Sequence, residues 1–189
     1  MSMRLLYGHF GLSPADASIL AQAMEELPRL LAIPPVGLSI GTELVADSED
    51  LERAFKDARE SFGNPLLYDF MQNIRSQLGR DALLVVGCGK DHSLAREIRK
   101  INPDALWGGT WSEVGLAVCW RIEKPVVWHE ALHLLGAHDC YCLPDKGPTC
   151  EQPNCIMQYM PSADAGGEQL ALCSENIADL RSHVRTCTE

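Results

Sequence analysis

Apolar positions along the chain fall into short runs at strand spacing, separated by longer stretches at helical spacing. Residues 4–10 (RLLYGHF) are short and apolar and predict a first strand. Ser13-Pro14 follows, a capping residue with Pro at the first helical position; Ile19, Leu20, Ala23, Met24, Leu27, Leu30 and Leu31 then recur along one helix face. Pro28 should kink or shorten the end of that helix, and Pro34-Pro35 stops it. Val36 to Leu44 alternates like a second strand. Asp47-Ser48 leads into charged helical sequence, broken near Gly63-Asn64-Pro65 and resumed through Leu78. Asp81 to Cys88 (DALLVVGC) is continuously apolar, as a buried strand should be, and Gly87-Cys88-Gly89-Lys90 reads as the turn that ends it. Trp107 to Trp111 and Val114 to Trp120 predict two more strands with too little chain between them for a crossover helix, so one runs antiparallel. A last helix, from about Gln169 to Arg185, places Cys173, Ile177, Leu180 and Val184 on one stripe. Strands separated by helices at this pace predict an α/β (α+β) fold with a mixed, mostly parallel twisted sheet.

A chain of 189 residues suits one compact unit. Within it, the texture divides residues 1–136, an α/β part ending in a helix, from residues 137–189, a Cys- and Pro-rich part with the terminal helix. The formal charge of -10 argues against nucleic acid as a partner, because phosphate binding needs clustered Lys and Arg. No apolar run approaches the roughly 20 residues that span a bilayer, so a membrane is not expected either. The chain reads as a monomer. Its start, MSMRLLYGHFGL, lacks the pattern of a signal peptide and points to the cytoplasm, where eight cysteines more often mean metal or reduced thiols than disulfides. A secreted, disulfide-bonded protein is the competing reading.

Candidate chemistry concentrates in WHEALHLLGAHDC, Trp128 to Cys140. Pro125 suits a first helical turn and nothing from Val126 to Leu135 breaks the helix, so His129 and His133 lie four apart on one face. Two imidazoles so placed can converge on one ion at about 2.0–2.1 Å. Glu130, one position round the helix, is placed to reach the water on that ion rather than the ion itself. This is the pattern of zinc-assisted hydrolysis, in which the metal activates water and the glutamate acts as general base and acid. Gly136 can take a positive φ and let the chain turn back toward the metal, bringing a third ligand from the residues just beyond. His138 and Asp139 both lie there.

With that turn the sequence resembles the metzincin metallopeptidases, whose pattern is HExxHxxGxxH, or a minority form ending in Asp, closed by a turn containing methionine. The resemblance puts the third ligand at Asp139; His138 serves instead if the turn is one residue shorter. It implies that Met157, in Cys155-Ile156-Met157, forms an apolar floor beneath the histidines, and that Tyr159 is placed to assist the oxyanion. Within the metzincins the chain is most similar to the archaemetzincins, over roughly residues 81–175. There a Cys follows the third ligand, as Cys140 does here, and later cysteines hold a second, structural zinc. The same resemblance makes the segment from Trp107 to Trp120 an edge strand against which a peptide or protein substrate pairs. Two departures stand out: fourteen residues separate Cys140 from Cys155, and Asn176 occupies the place three after Cys173 where the family has a further cysteine. Cys140, Cys142, Cys150, Cys155, Cys173 and Cys187 are therefore candidates either for a rearranged zinc site or for disulfides, with fifteen pairings open to six cysteines. The expectation is a zinc metallopeptidase with one catalytic ion and room for a structural one. Its rival is an interaction module that keeps zinc and has little or no turnover.

Overall fold

In the computed structural model, which describes residues 3–45, 48–58, 64–78, 82–140, 155–158 and 171–188, the strands are β1 (Met3–Phe10), β2 (Ile40–Leu44), β3 (Leu83–Cys88), β4 (Gly108–Trp111) and β5 (Leu116–Cys119). The helices are α1 (Pro14–Ala32), α2 (Ser48–Asp57), α3 (Asn64–Leu78), α4 (Ser93–Ile101), α5 (Lys124–Leu134) and α6 (Ser174–Thr188). One mixed sheet runs in the order β2-β1-β3-β5-β4; every neighbouring pair is parallel except β4 with β5.

The two-residue period of the strands sorts the core into two layers. Leu5, Tyr7, Val85, Ala117 and Cys119 pack with α1, α5 and α6, while Leu6, Phe10, Leu84, Val86, Leu116 and Val118 pack with α2, α3 and α4. Helices on both faces explain why β3 reads as an unbroken apolar run. Cys88 and Cys119 end their strands inside this core, where burial pushes the Cys88 thiol up to about 12 and the Cys119 thiol well above its ordinary value, so both stay protonated and inert.

Four elements differ from the sequence pattern. Helix α1 continues through Pro28 to Ala32, because Leu27 and Leu31 are fully buried on either side of it and their packing outweighs the lost backbone bond. Strand β2 starts only at Ile40, since Gly37 at φ 63° and backbone bonds from Val36 and Gly37 to Ile33 make the preceding residues a turn. Helix α4, capped by the His92 side chain accepting from the Leu94 N–H, fills a stretch in which sequence predicted no helix. The last helix begins at Ser174, which leaves Cys173 ahead of it rather than on its stripe. None of the described helices is long and apolar enough to cross a membrane.

What this frame does for the site is fix α5. Its Trp128 indole donates to the Ala23 carbonyl of α1 at 2.8 Å, and Lys124 pairs with Glu26 at 2.7 Å. On its other flank lies β4, whose neighbour Ser112 donates to the His133 carbonyl at 3.2 Å. Gly115 turns the chain between β4 and β5 at φ 80°, and Arg75 of α3 holds that turn through the Val114 carbonyl at 2.7 Å.

Candidate metal centre

His129 and His133 project from the same face of α5, and a backbone carbonyl fixes each ring. Nδ1 of His129 lies 3.0 Å from the Ile156 oxygen and Nδ1 of His133 lies 2.9 Å from the Ala137 oxygen. A carbonyl can only accept, so each Nδ1 carries the proton and each Nε2 presents a lone pair. Those two lone pairs face each other at 3.1 Å, and Asp139 Oδ1 stands 3.2 Å from the first and 3.1 Å from the second. Three acceptors at such range repel unless something positive lies between them. A proton meets part of the need: burial alone would lower the His133 pKa, but hydrogen bonding and charge from Asp139 raise it overall. Burial likewise works to raise the pKa of Asp139, and the two imidazoles outweigh it, holding the carboxyl well below the usual range.

A small cation meets the need better. Atoms separated by such edges are three corners of a tetrahedron whose centre is about 1.9–2.0 Å from each, close to the bond lengths imidazole and carboxylate make to zinc. His129, His133 and Asp139 therefore fit a metal by distance and by donor type.

Gly136 makes the convergence geometrically feasible. At φ 96° it ends α5, the Ala137 N–H folds back to the Leu132 carbonyl at 3.0 Å, and the next residues swing under the helix. A Cβ at residue 136 would stand 2.7 Å from the His183 Cβ of α6. Gly136→Ala is expected to cost about 1–3 kcal/mol of stability through backbone strain and to weaken metal binding by shifting the carbonyl that orients His133. Thermal unfolding with and without a divalent metal checks both effects.

His138 is adjacent to Asp139 in sequence and turned the other way. Its Nδ1 lies 2.7 Å from Asp179 Oδ2 and its Nε2 3.7 Å from Glu175 Oε2, both on α6. Of the two residues that competed for the third position, the fold brings Asp139 to the histidines and gives His138 to α6.

Glu130 leaves the helix toward the edge strand. Thr110 of β4 donates its hydroxyl to Glu130 Oε2 at 2.7 Å. The carboxylate lies so close over Gly108 that a Cβ there would come within 2.6 Å of Oε1. Burial pushes the Glu130 pKa up against the opposing pull of His129, Thr110 and His133. The result is a carboxylate with unusual proton affinity held beside the two histidines.

Compared with known proteins, the chain matches no family model and no curated protein.

A second cluster begins one residue after Asp139. Cys140 Sγ is 3.6 Å from Cys173 Sγ and 3.8 Å from Cys155 Sγ, and the three buried sulfurs, none of them disulfide-bonded, lie within 4.8 Å of one another. Sulfurs about 3.8 Å apart are corners of a tetrahedron with bonds of about 2.3 Å, the length of a zinc–thiolate bond. Although burial raises the Cys173 thiol, hydrogen bonds from the Asn176 backbone, Cys140 and the Asn176 amide lower it overall. Met157 is fully buried, and its carbonyl accepts from the Cys140 N–H at 2.7 Å. Cys142, Cys150 and Tyr159 lie outside the described residues, as does the side chain of Cys187.

Thr110, Gly108 and Asp179 carry no functional signal in the sequence, and Asn176 shows there only as a missing cysteine. Spacing along one helix carries no record of a partner on a neighbouring strand.

Proposed function

We propose that this protein is a zinc-dependent metallopeptidase of metzincin type, most similar to the archaemetzincins. The observation that carries the reading is the meeting of two Nε2 lone pairs and one carboxylate oxygen at 3.1–3.2 Å, beside a buried glutamate on the same helix. Zinc held there would supply the Lewis acid that polarises a scissile carbonyl and lowers the pKa of an attacking water to about 7. The protein's own groups do the rest. Glu130 takes the proton of the attacking water and passes it to the leaving amine. Thr110 and the space over Gly108 hold that carboxylate at one angle. Ile156 and Ala137 keep both imidazoles in the metal-binding tautomer. Asp139 brings a negative charge to the ion and so tempers its acidity compared with a third imidazole.

Substrate should be a peptide or protein in extended form. Strand β4 is an edge of the sheet next to α5, and an extended chain can add to such an edge by backbone hydrogen bonds. Met157 is the apolar floor, and Cys140, Cys155 and Cys173 would hold a second, structural zinc.

The test is hydrolysis of a diverse fluorogenic peptide library by protein stripped with chelator and then reloaded with zinc. Cleavage should vanish to background on stripping and return with one equivalent at the histidine site. A zinc-loaded, folded protein that cleaves nothing in the library would leave the rival, a zinc-holding interaction module, in possession.

A further inference from the structure

Among the described residues the buried polar side chains are His129, Glu130 and Asn176. Two of them belong to the chemistry already assigned; the third is fully buried and 37 residues beyond Asp139 in sequence. A buried amide persists when its hydrogen bonds are satisfied, and those of Asn176 all run to the chain that carries Asp139 or to the sulfurs beside it. Oδ1 accepts from the His138 N–H at 2.7 Å, and Nδ2 donates to the His138 carbonyl at 3.1 Å. Nδ2 also faces Cys140 Sγ at 3.1 Å and Cys173 Sγ at 3.5 Å. The amide thus grips the backbone N–H and C=O of one residue, immediately before Asp139, and donates to the thiol cluster immediately after it. Asp179 adds a third hold on the same residue through the His138 ring.

We propose that Asn176 is a positioning residue that sets the Asp139 carboxylate against His129 and His133 and couples that setting to the Cys140/Cys155/Cys173 cluster. This rests on the reading of His129, His133 and Asp139 as a metal site. Local bonds end at Ala137, which is tied back to Leu132 and His133; beyond it the chain is irregular, and its backbone anchors are Asn176 on His138 and the Cys140 N–H to Met157. With its amide turned to the sulfurs and its oxygen committed to His138, Asn176 acts as a donor to the cluster rather than as a fourth ligand. A cysteine at this position would offer one more sulfur and no grip on His138.

The experiment compares the whole protein with Asn176→Asp and Asn176→Cys. Co2+ is the probe: its visible absorption reports the imidazole–carboxylate site, and its sulfur charge-transfer band reports the thiol cluster. Asn176→Asp keeps the oxygen that accepts from His138 and replaces the donor with an acceptor, so it should weaken Co2+ at the histidine site by roughly tenfold or more, the scale of losing an outer-shell partner. Asn176→Cys should strengthen the sulfur band and weaken the histidine site together, a split that general damage to the fold would not produce. Circular dichroism verifies folding, and should one variant not fold, the other decides. Each substitution is repeated with Asp139→Ala, titrated far enough to reach the weaker two-histidine site; there its effect should shrink to less than about twofold, because a residue acting through Asp139 has nothing left to position. Equal losses with and without Asp139, or unchanged affinity in both folded variants, overturn the proposal and leave the peptidase reading intact. Failure of the parent chain to bind Co2+ at the histidines overturns both.

Discussion

Replacing Glu130 with Gln is expected to cut peptide hydrolysis by about 10²–10⁴-fold, the usual worth of general acid–base catalysis, while zinc per chain stays unchanged. Gln has the same shape, keeps an oxygen to accept from Thr110, and fits over Gly108, so the site should not move. What it lacks is a group that takes a proton. The metal is untouched because Glu130 does not join the triangle of His129, His133 and Asp139. The same substitution should raise the stability of the metal-free protein. Burial raises the pKa of Glu130 above its ordinary 4.5, so the folded state pays for ionising it. That penalty is absent below about pH 4.5, grows as pH rises toward the raised value, and is constant above it. Gln never ionises, and its advantage should follow that curve. A gain in stability with a loss of turnover is the mark of a residue kept for chemistry. Kinetics, metal analysis and unfolding at several pH values measure all three quantities. If turnover and partner binding are both unaffected, Glu130 is only a buried carboxylate and the rival interaction module stands.

The division between what sequence showed and what it hid follows the range of the forces involved. Helix α5 and the pair His129 and His133 were legible because a period of 3.6 is a local rule, and Pro125 and Gly136 punctuate the helix at both ends. The antiparallel placing of β4 against β5 was legible from chain length alone, since four residues cannot make a crossover. Helix α4 was not read, although Leu94, Ala95 and Ile98 are its buried positions, because a nine-residue helix offers little more than two turns of pattern. The start of α6 is masked in the sequence because Cys173 keeps helical spacing with Ile177 and Leu180 while its sulfur is drawn to Cys140. Glu130's environment was hidden for a different reason: Thr110 and Gly108 come from another strand. The rivalry between His138 and Asp139 was hidden most deeply, for it is settled by Asn176 and Asp179, far along the chain.

That rivalry carries the second large effect. Asp139→Ala is expected to lower metal content by about one ion per chain, with affinity at the histidines falling by more than the 10–100-fold that outer-shell partners contribute; His138→Ala should leave the content unchanged. With Asp139 gone the two imidazoles remain, but the site loses its formal charge and one corner of the triangle. Loss of the His138 ring removes a partly exposed bond to Asp179, worth about 1 kcal/mol at most. The backbone that aims Asp139 survives, because Asn176 holds the His138 N–H and carbonyl rather than its ring. Stability without metal separates the variants further. The carboxyl of Asp139 is held below its ordinary 3.8, so in the parent its contribution is present above that pH and fades as pH falls through the lowered value. Asp139→Ala should therefore be less stable than the parent at neutral pH, and the two should converge in acid. Metal analysis at a zinc concentration that just saturates the parent, with unfolding at neutral and acidic pH, decides the matter. Loss of the ion on His138→Ala with retention on Asp139→Ala would mean that the imidazole leaves α6 when metal binds, and the assignment of Asp139 would fail.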